Sequence, residues 1–103
     1  MRIPVRYEWD PWKRRLNLAK HDLDFEDAWQ VFESRWKDDV ESPRWSAEER
    51  RAATAYAATA RSVCVLVYVI RGDAVRCISF RRASRIEREE YREYLEAHRQ
   101  LYE

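Results

Sequence analysis

At 103 residues the chain holds material for one core and not two, so a single domain over residues 1–103 is expected. Hydrophobic residues make up 46% and charged residues 38%, a balance that excludes a disordered chain and fits a folded domain with a heavily charged surface. A net charge of +1 excludes strong attraction of nucleic acid by the molecule as a whole and leaves that task to local patches.

In chain order, "RIPVRYEWD" alternates and predicts a first strand over roughly 3–8, with Pro4 favouring an edge position. "DPWKRRLNLAKH" predicts a helix with Asp10 as N-cap and Pro11 at its first position. Its apolar side is Trp12, Leu16 and Ala19, and Asp22 stands where the chain must turn left-handed. "DFEDAWQVFES" predicts a second helix capped by Asp24, with Phe25, Ala28, Trp29 and Phe32 toward the core. "RWKDDVES" reads as a second strand and "SPRWSAEER" as a loop.

"RRAATAYAATAR" is open to helix, through its alanines, or to strand, through its alternation. Strand is preferred because a short turn and an unmistakable strand follow. That next strand, "SVCVLVYVIR", is almost continuously apolar and β-branched, so both its faces should be covered. "RGDA" predicts a hairpin turn around the single glycine. "AVRCISFR" is the last strand, with Val75, Cys77 and Ser79 alternating against Arg76, Ile78 and Phe80. A terminal helix follows, capped by Ser84 with Glu87 completing a capping box; Ile86, Tyr91 or Tyr94, Leu95 and Leu101 line its apolar side. The element order is β-α-α-β-β-β-β-α: an α+β fold with an antiparallel sheet and helices packed on it.

No apolar stretch at the N-terminus has the form of a secretion signal, and the run "VCVLVYVI" is too short to span a bilayer, so a cytoplasmic protein is expected. Cys64 and Cys77 sit in strands and read as small buried hydrophobes, with no histidine at a spacing for thiol catalysis. Asp38, Asp39 and Glu41 have no His or Cys nearby, so no metal site is read and no cofactor is called for. "RRASR" is the sharpest local feature. Arg81, Arg82 and Arg85 fall where a strand gives way to a helix N-terminus, a place suited to a phosphate. The competing reading is a solvated strand end. On a strand, Arg81 and Arg82 face opposite ways, so one of them points into any such site.

Three groups of residues together resemble a known family. "WDPWKRRLNLAKH", "DFEDAWQVF", and "VYVIR" with "RCISFRRASRIEREEY" are similar, in order and spacing, to the BrnT toxins of bacterial type II toxin–antitoxin modules. The resemblance implies a RelE-like small ribonuclease fold and a metal-independent endoribonuclease that cleaves RNA and inhibits translation. It also implies neutralisation by a cognate DNA-binding antitoxin, hence a hetero-oligomer that meets DNA only through that antitoxin and has no membrane partner. Mapped onto such chemistry, His21, Arg81 and Arg82 are the candidate catalytic residues, as proton acceptor and as cations for the phosphorane. Lys13, Lys20, Arg71, Arg85 and Tyr91 are candidates for holding RNA or its phosphates. The competing readings are a histidine stabilised at a helix end, solvated lysines and a packed tyrosine. Two departures from the family pattern stand out: Asp22 in place of glycine, and Phe80 in place of alanine, a ring that would reshape the site or stack on a base. The alternative function is a catalytically inactive interaction module that binds an antitoxin and takes part in operon autoregulation, with Trp36 and Trp45 as anchors.

Overall fold

The computed structural model describes residues 5–42 and 49–101, with side chains as far as Arg99. Among these residues β1 (Arg6–Glu8) leads into α1 (Pro11–His21), a 3-10 turn (Phe25–Asp27) and α2 (Trp29–Phe32). Then follow β2 (Asp38–Glu41), β3 (Arg51–Ala57), β4 (Ser62–Arg71), β5 (Ala74–Arg82) and α3 (Arg85–Leu101). Trp45 lies outside the described residues. No described helix is long and apolar enough to cross a membrane.

The sheet order is β1-β5-β4-β3-β2. β2 to β5 are antiparallel neighbours, with short connections between β3 and β4 and between β4 and β5. The expectation of an antiparallel sheet throughout is corrected at β1, which pairs parallel to β5 through Arg6–Ala74, Tyr7–Val75 and Glu8–Arg76. β1 is followed by a helix rather than a hairpin, and a helical crossover returns a strand in parallel. β1 also covers only the first three residues of β5, so the second half of β5 has no strand on that side.

The core lies between the sheet and the segment from Leu23 to Phe32. Phe25, Val31, Cys64, Leu66, Cys77 and Phe80 are its largest fully buried side chains. Ala53, Ala55 and Ala57 are wholly buried on one face of β3, and their small size lets α2 lie close to the sheet. The alanine-rich segment is therefore a strand whose alanines are packing contacts. β4 is central, and Leu66 on one face and Val65 on the other are both buried.

Three expected helix faces change. The second helix begins as a 3-10 turn, whose period of three brings Phe25, Ala28 and Val31 inward and leaves Trp29 half exposed. α1 buries only Asn17; Trp12 and Leu16 are 60% and 52% exposed, so its apolar stripe is not core. On α3, Tyr91 is buried and Tyr94 and Leu95 partly so, while Ile86 is exposed.

A bulge in β5 resets its alternation. Val67 pairs with Ser79 but Tyr68 with Cys77, which leaves Ile78 as the extra residue. Val75, Cys77 and Phe80 therefore face the core together. Phe80 is fully buried and offers no surface to a base, which corrects the expectation that its ring borders the site.

Candidate active site

The end of α1 and the end of β5 are brought together by a side chain that imitates a strand. Asn17 accepts the Phe80 N–H at 3.0 Å and donates to the Phe80 carbonyl at 2.8 Å, the two bonds a neighbouring strand would make. It also donates to the Leu23 carbonyl at 3.0 Å and so holds the chain after the helix. Asp22 ends α1 in the left-handed conformation, φ 57°, with its N–H on the Leu18 carbonyl, so it takes up the turn a glycine would. At the other end of α1, Asp10 accepts the Trp12 N–H.

Beside this junction runs an open trough of about 550 Å³, lined by Lys13, Leu16, Ala19, Lys20 and His21 from α1 and by Ile78 and Ser79 from the β5 bulge. Asn17 forms its floor. His21 has its pKa lowered, first by burial and then by the positive charges of Lys20 and Arg81. The imidazole is thereby kept neutral near pH 7, the form that accepts a proton.

The two arginines part company, as strand alternation requires. Arg82 turns toward α1 and donates to the carbonyls of His21 at 3.3 Å and Ala60 at 3.4 Å. Both bonds are long, the side chain is exposed, and among the described residues no carboxylate pairs with it. Arg81 turns toward α3, where a bidentate pair with Glu87 at 2.7 and 2.8 Å holds it half-buried. Glu87 also accepts the Ser84 N–H, and its own N–H donates to the Ser84 hydroxyl, so the capping box and the ion pair share one carboxylate. That double use keeps the Glu87 pKa at about 2 and raises that of Arg81. A second groove, of about 320 Å³, opens on this side of β5 and includes Ser79, Arg81, Glu87 and Arg50.

Of the residues singled out in the sequence, the fold lines one trough with Lys13, Lys20 and His21, brings Arg82 to the His21 backbone carbonyl next to it, and sets Arg81 in the neighbouring groove, near enough for its charge to lower the His21 pKa. The remaining three stand elsewhere. Arg71 sits at the β4–β5 hairpin, six residues along β4 from the partner of Arg81 and hence about 20 Å away. Arg85 is 86% exposed and faces Glu89 on the outside of α3. Tyr91 is buried, with its hydroxyl donating to the Trp36 carbonyl at 2.9 Å, so its phenol is engaged in fixing α3. Asn17 and Glu87 are the organising residues, and what sequence reasoning missed is their roles: Asn17 as the partner of the Phe80 backbone, and the capping-box acid Glu87 as the partner of Arg81. A polar residue one turn before His21, and an acid six residues after Arg81, were the available signals.

Cys64 and Cys77 are buried and free, and burial pushes the Cys77 thiol up to about 12, far from a reactive thiolate. Among the described residues no three His, Cys, Asp or Glu side chains gather into a metal-ligand set.

Comparison with known proteins bears on this geometry. No curated protein matches the chain. Among solved structures, the crystal structure of the Brucella abortus ribonuclease toxin BrnT is similar, with a TM-score of 0.63 and 28% identity over 80% of this chain and 100% of that one. The family model of the ribonuclease toxin BrnT, of type II toxin–antitoxin systems, matches residues 9–87. That span takes in α1, the bulged strand and both arginines, and a family of this kind implies a protein antitoxin as partner. The chain thus belongs to the BrnT family of type II toxin–antitoxin ribonuclease toxins.

Proposed function

We propose that this chain is itself an active endoribonuclease toxin, cleaving RNA without a metal at the α1–β5 junction and so inhibiting translation. The observation that carries the reading is a depressed histidine, His21, in a trough rimmed by Lys13 and Lys20, with a loosely held arginine, Arg82, reaching the His21 backbone carbonyl. His21 takes the proton from a ribose 2′-hydroxyl. The 2′-oxygen forms a bond to the adjacent phosphorus as the bond to the 5′-oxygen breaks, and that oxygen leaves with a proton from a general acid. Arg82 and the lysines stabilise the extra charge of the phosphorane, where a cation or donor counts most. In this reading the fold is a RelE-like ribonuclease fold, the chain forms one domain, and it works in the cytoplasm. A cognate DNA-binding antitoxin covers the trough in a hetero-oligomer and is the sole route to DNA.

One observation favours a second reading, an interaction module without activity: Arg81, an expected catalytic cation, is already spent on Glu87. A cleavage assay on purified chain with EDTA present separates the two. RNA fragments ending in a cyclic phosphate, absent with His21→Ala, support the nuclease; intact RNA under all conditions leaves the interaction module in front.

A further inference from the structure

The trough's cations are accounted for by the RNA backbone, but its apolar lining is not. Leu16 is 52% exposed on α1, Ala19 is exposed beside it, and Ile78 reaches in from β5. Ile78 is there because of the bulge: it is the unpaired extra residue, and bulges commonly re-aim a side chain beside a functional site. The bulge also brings the Ser79 hydroxyl to the lining as a hydrogen-bonding group. The lining holds no carboxylate, and two cations, Lys13 and Lys20, stand along it beside the neutral imidazole of His21.

An apolar slot with a cationic rim and one hydroxyl suits a flat, weakly polar group carried on an anionic chain, which describes a nucleotide. A clefted volume of about 550 Å³ admits a base together with its sugar.

We infer that the slot between Leu16 and Ile78 receives a nucleobase flanking the cleaved bond, and that Leu16, Ile78 and Ser79 set which base is preferred there. The inference rests on the nuclease reading above. The base enters edge-first, its faces against Leu16 and Ile78, while its phosphates lie along Lys13 and Lys20. Ser79 offers one hydrogen bond to the base edge. Selection is consequently by size and by one polar contact, so the preference is moderate.

The test has two arms. In the first, purified parent, Leu16→Ala, Ile78→Ala and Ser79→Ala cut a randomised RNA pool, and cut sites are read by sequencing, with melting curves confirming that each is folded. The parent should show a base preference at a position next to the cut. Ser79→Ala should reduce the ratio of preferred to unpreferred cutting by about 2–10-fold, as loss of one hydrogen bond allows. Leu16→Ala and Ile78→Ala should reduce it about tenfold or more.

In the second arm, short oligonucleotides with a 2′-deoxy sugar at the cut position and differing in one base are titrated onto the same proteins. This arm still decides the matter if the parent cuts no RNA, a result that would sink the nuclease reading alone. Equal affinity for every base, or preferences identical in parent and all three variants, overturns the subsite. So does a Leu16→Ala protein that loses antitoxin binding yet keeps the parental base preference, since the slot would then belong to a protein partner.

Discussion

In the proposed cleavage, His21 depends on its surroundings to act as the base. Partial burial lowers its pKa first, and the charges of Lys20 and Arg81 lower it further. A lowered value means the proton-accepting form persists to more acidic pH, so the rising limb of kcat/KM should lie below the ordinary imidazole value of 6.5. Lys20→Gln removes one of the depressing charges, and the limb should move toward higher pH. A limb that stays in place, measured across pH 5 to 8 on the purified variant, would separate Lys20 from the histidine. The arginines differ in a way that mutation should expose. Among the described residues Arg82 makes only two long bonds, to carbonyls, so Arg82→Ala should leave the melting temperature nearly unchanged while cleavage falls about 10²–10³-fold, the usual effect of losing one transition-state donor. Arg81→Ala strands the half-buried Glu87, so that variant should melt earlier whatever its activity.

Two elements hold the site in register, and both do so through single side chains. Among the described residues the second half of β5 has a strand, β4, on one side only, and on the other Asn17 supplies the missing hydrogen bonds from α1. Asn17→Ala would leave the Phe80 N–H and carbonyl and the Leu23 carbonyl without that partner at a buried seam. A loss on the order of 3 kcal/mol is expected in urea unfolding. A smaller loss, under about 1 kcal/mol, would mean water replaces the amide at no great cost. α3 is fixed at its start by Glu87. Its folded pKa of about 2 lies below its ordinary value of 4.5, so its stabilising contribution is present above pH 4.5 and fades as pH falls toward 2. With solvent reaching both partners the contribution is about 1–2 kcal/mol. Glu87→Gln should therefore be less stable than the parent at pH 7, and the two unfolding curves should converge near pH 2. Curves that run parallel over this range would show that the carboxylate's charge contributes nothing to the docking of α3.

At the level of the whole molecule, what the sequence revealed was local and what it hid was long-range. The Asp10-Pro11 start of α1, the Ser84–Glu87 capping box and the Gly72 turn were readable because each is a contact between near neighbours in the chain. The parallel pairing of β1 was hidden, since a strand of three residues carries no mark of a partner nearly seventy positions away. The bulge at Ile78 was hidden too: no glycine marks it, and one extra residue put Phe80 on the core face with Val75 and Cys77 instead of alternating against them. His21 and the arginines were proposed by residue type, whereas Asn17 acts through a backbone visible only once the chain is folded. The centre of the sheet was legible, because eight consecutive apolar residues rich in β-branched side chains suit a strand covered on both faces, although its end at Ile70 is exposed. Leu66 is the measure of that reading. It is wholly buried on the central strand, opposite Ala53 on β3 and Phe80 on β5, so no solvent can fill the space it leaves. Its neighbours belong to a sheet whose spacing is fixed by hydrogen bonds and cannot close the gap. Leu66→Ala should consequently lose about 2–5 kcal/mol in equilibrium unfolding, the range for large-to-small changes in rigid cores. A loss below about 1 kcal/mol would mean that the core's centre lies elsewhere, around Phe25 and Val31.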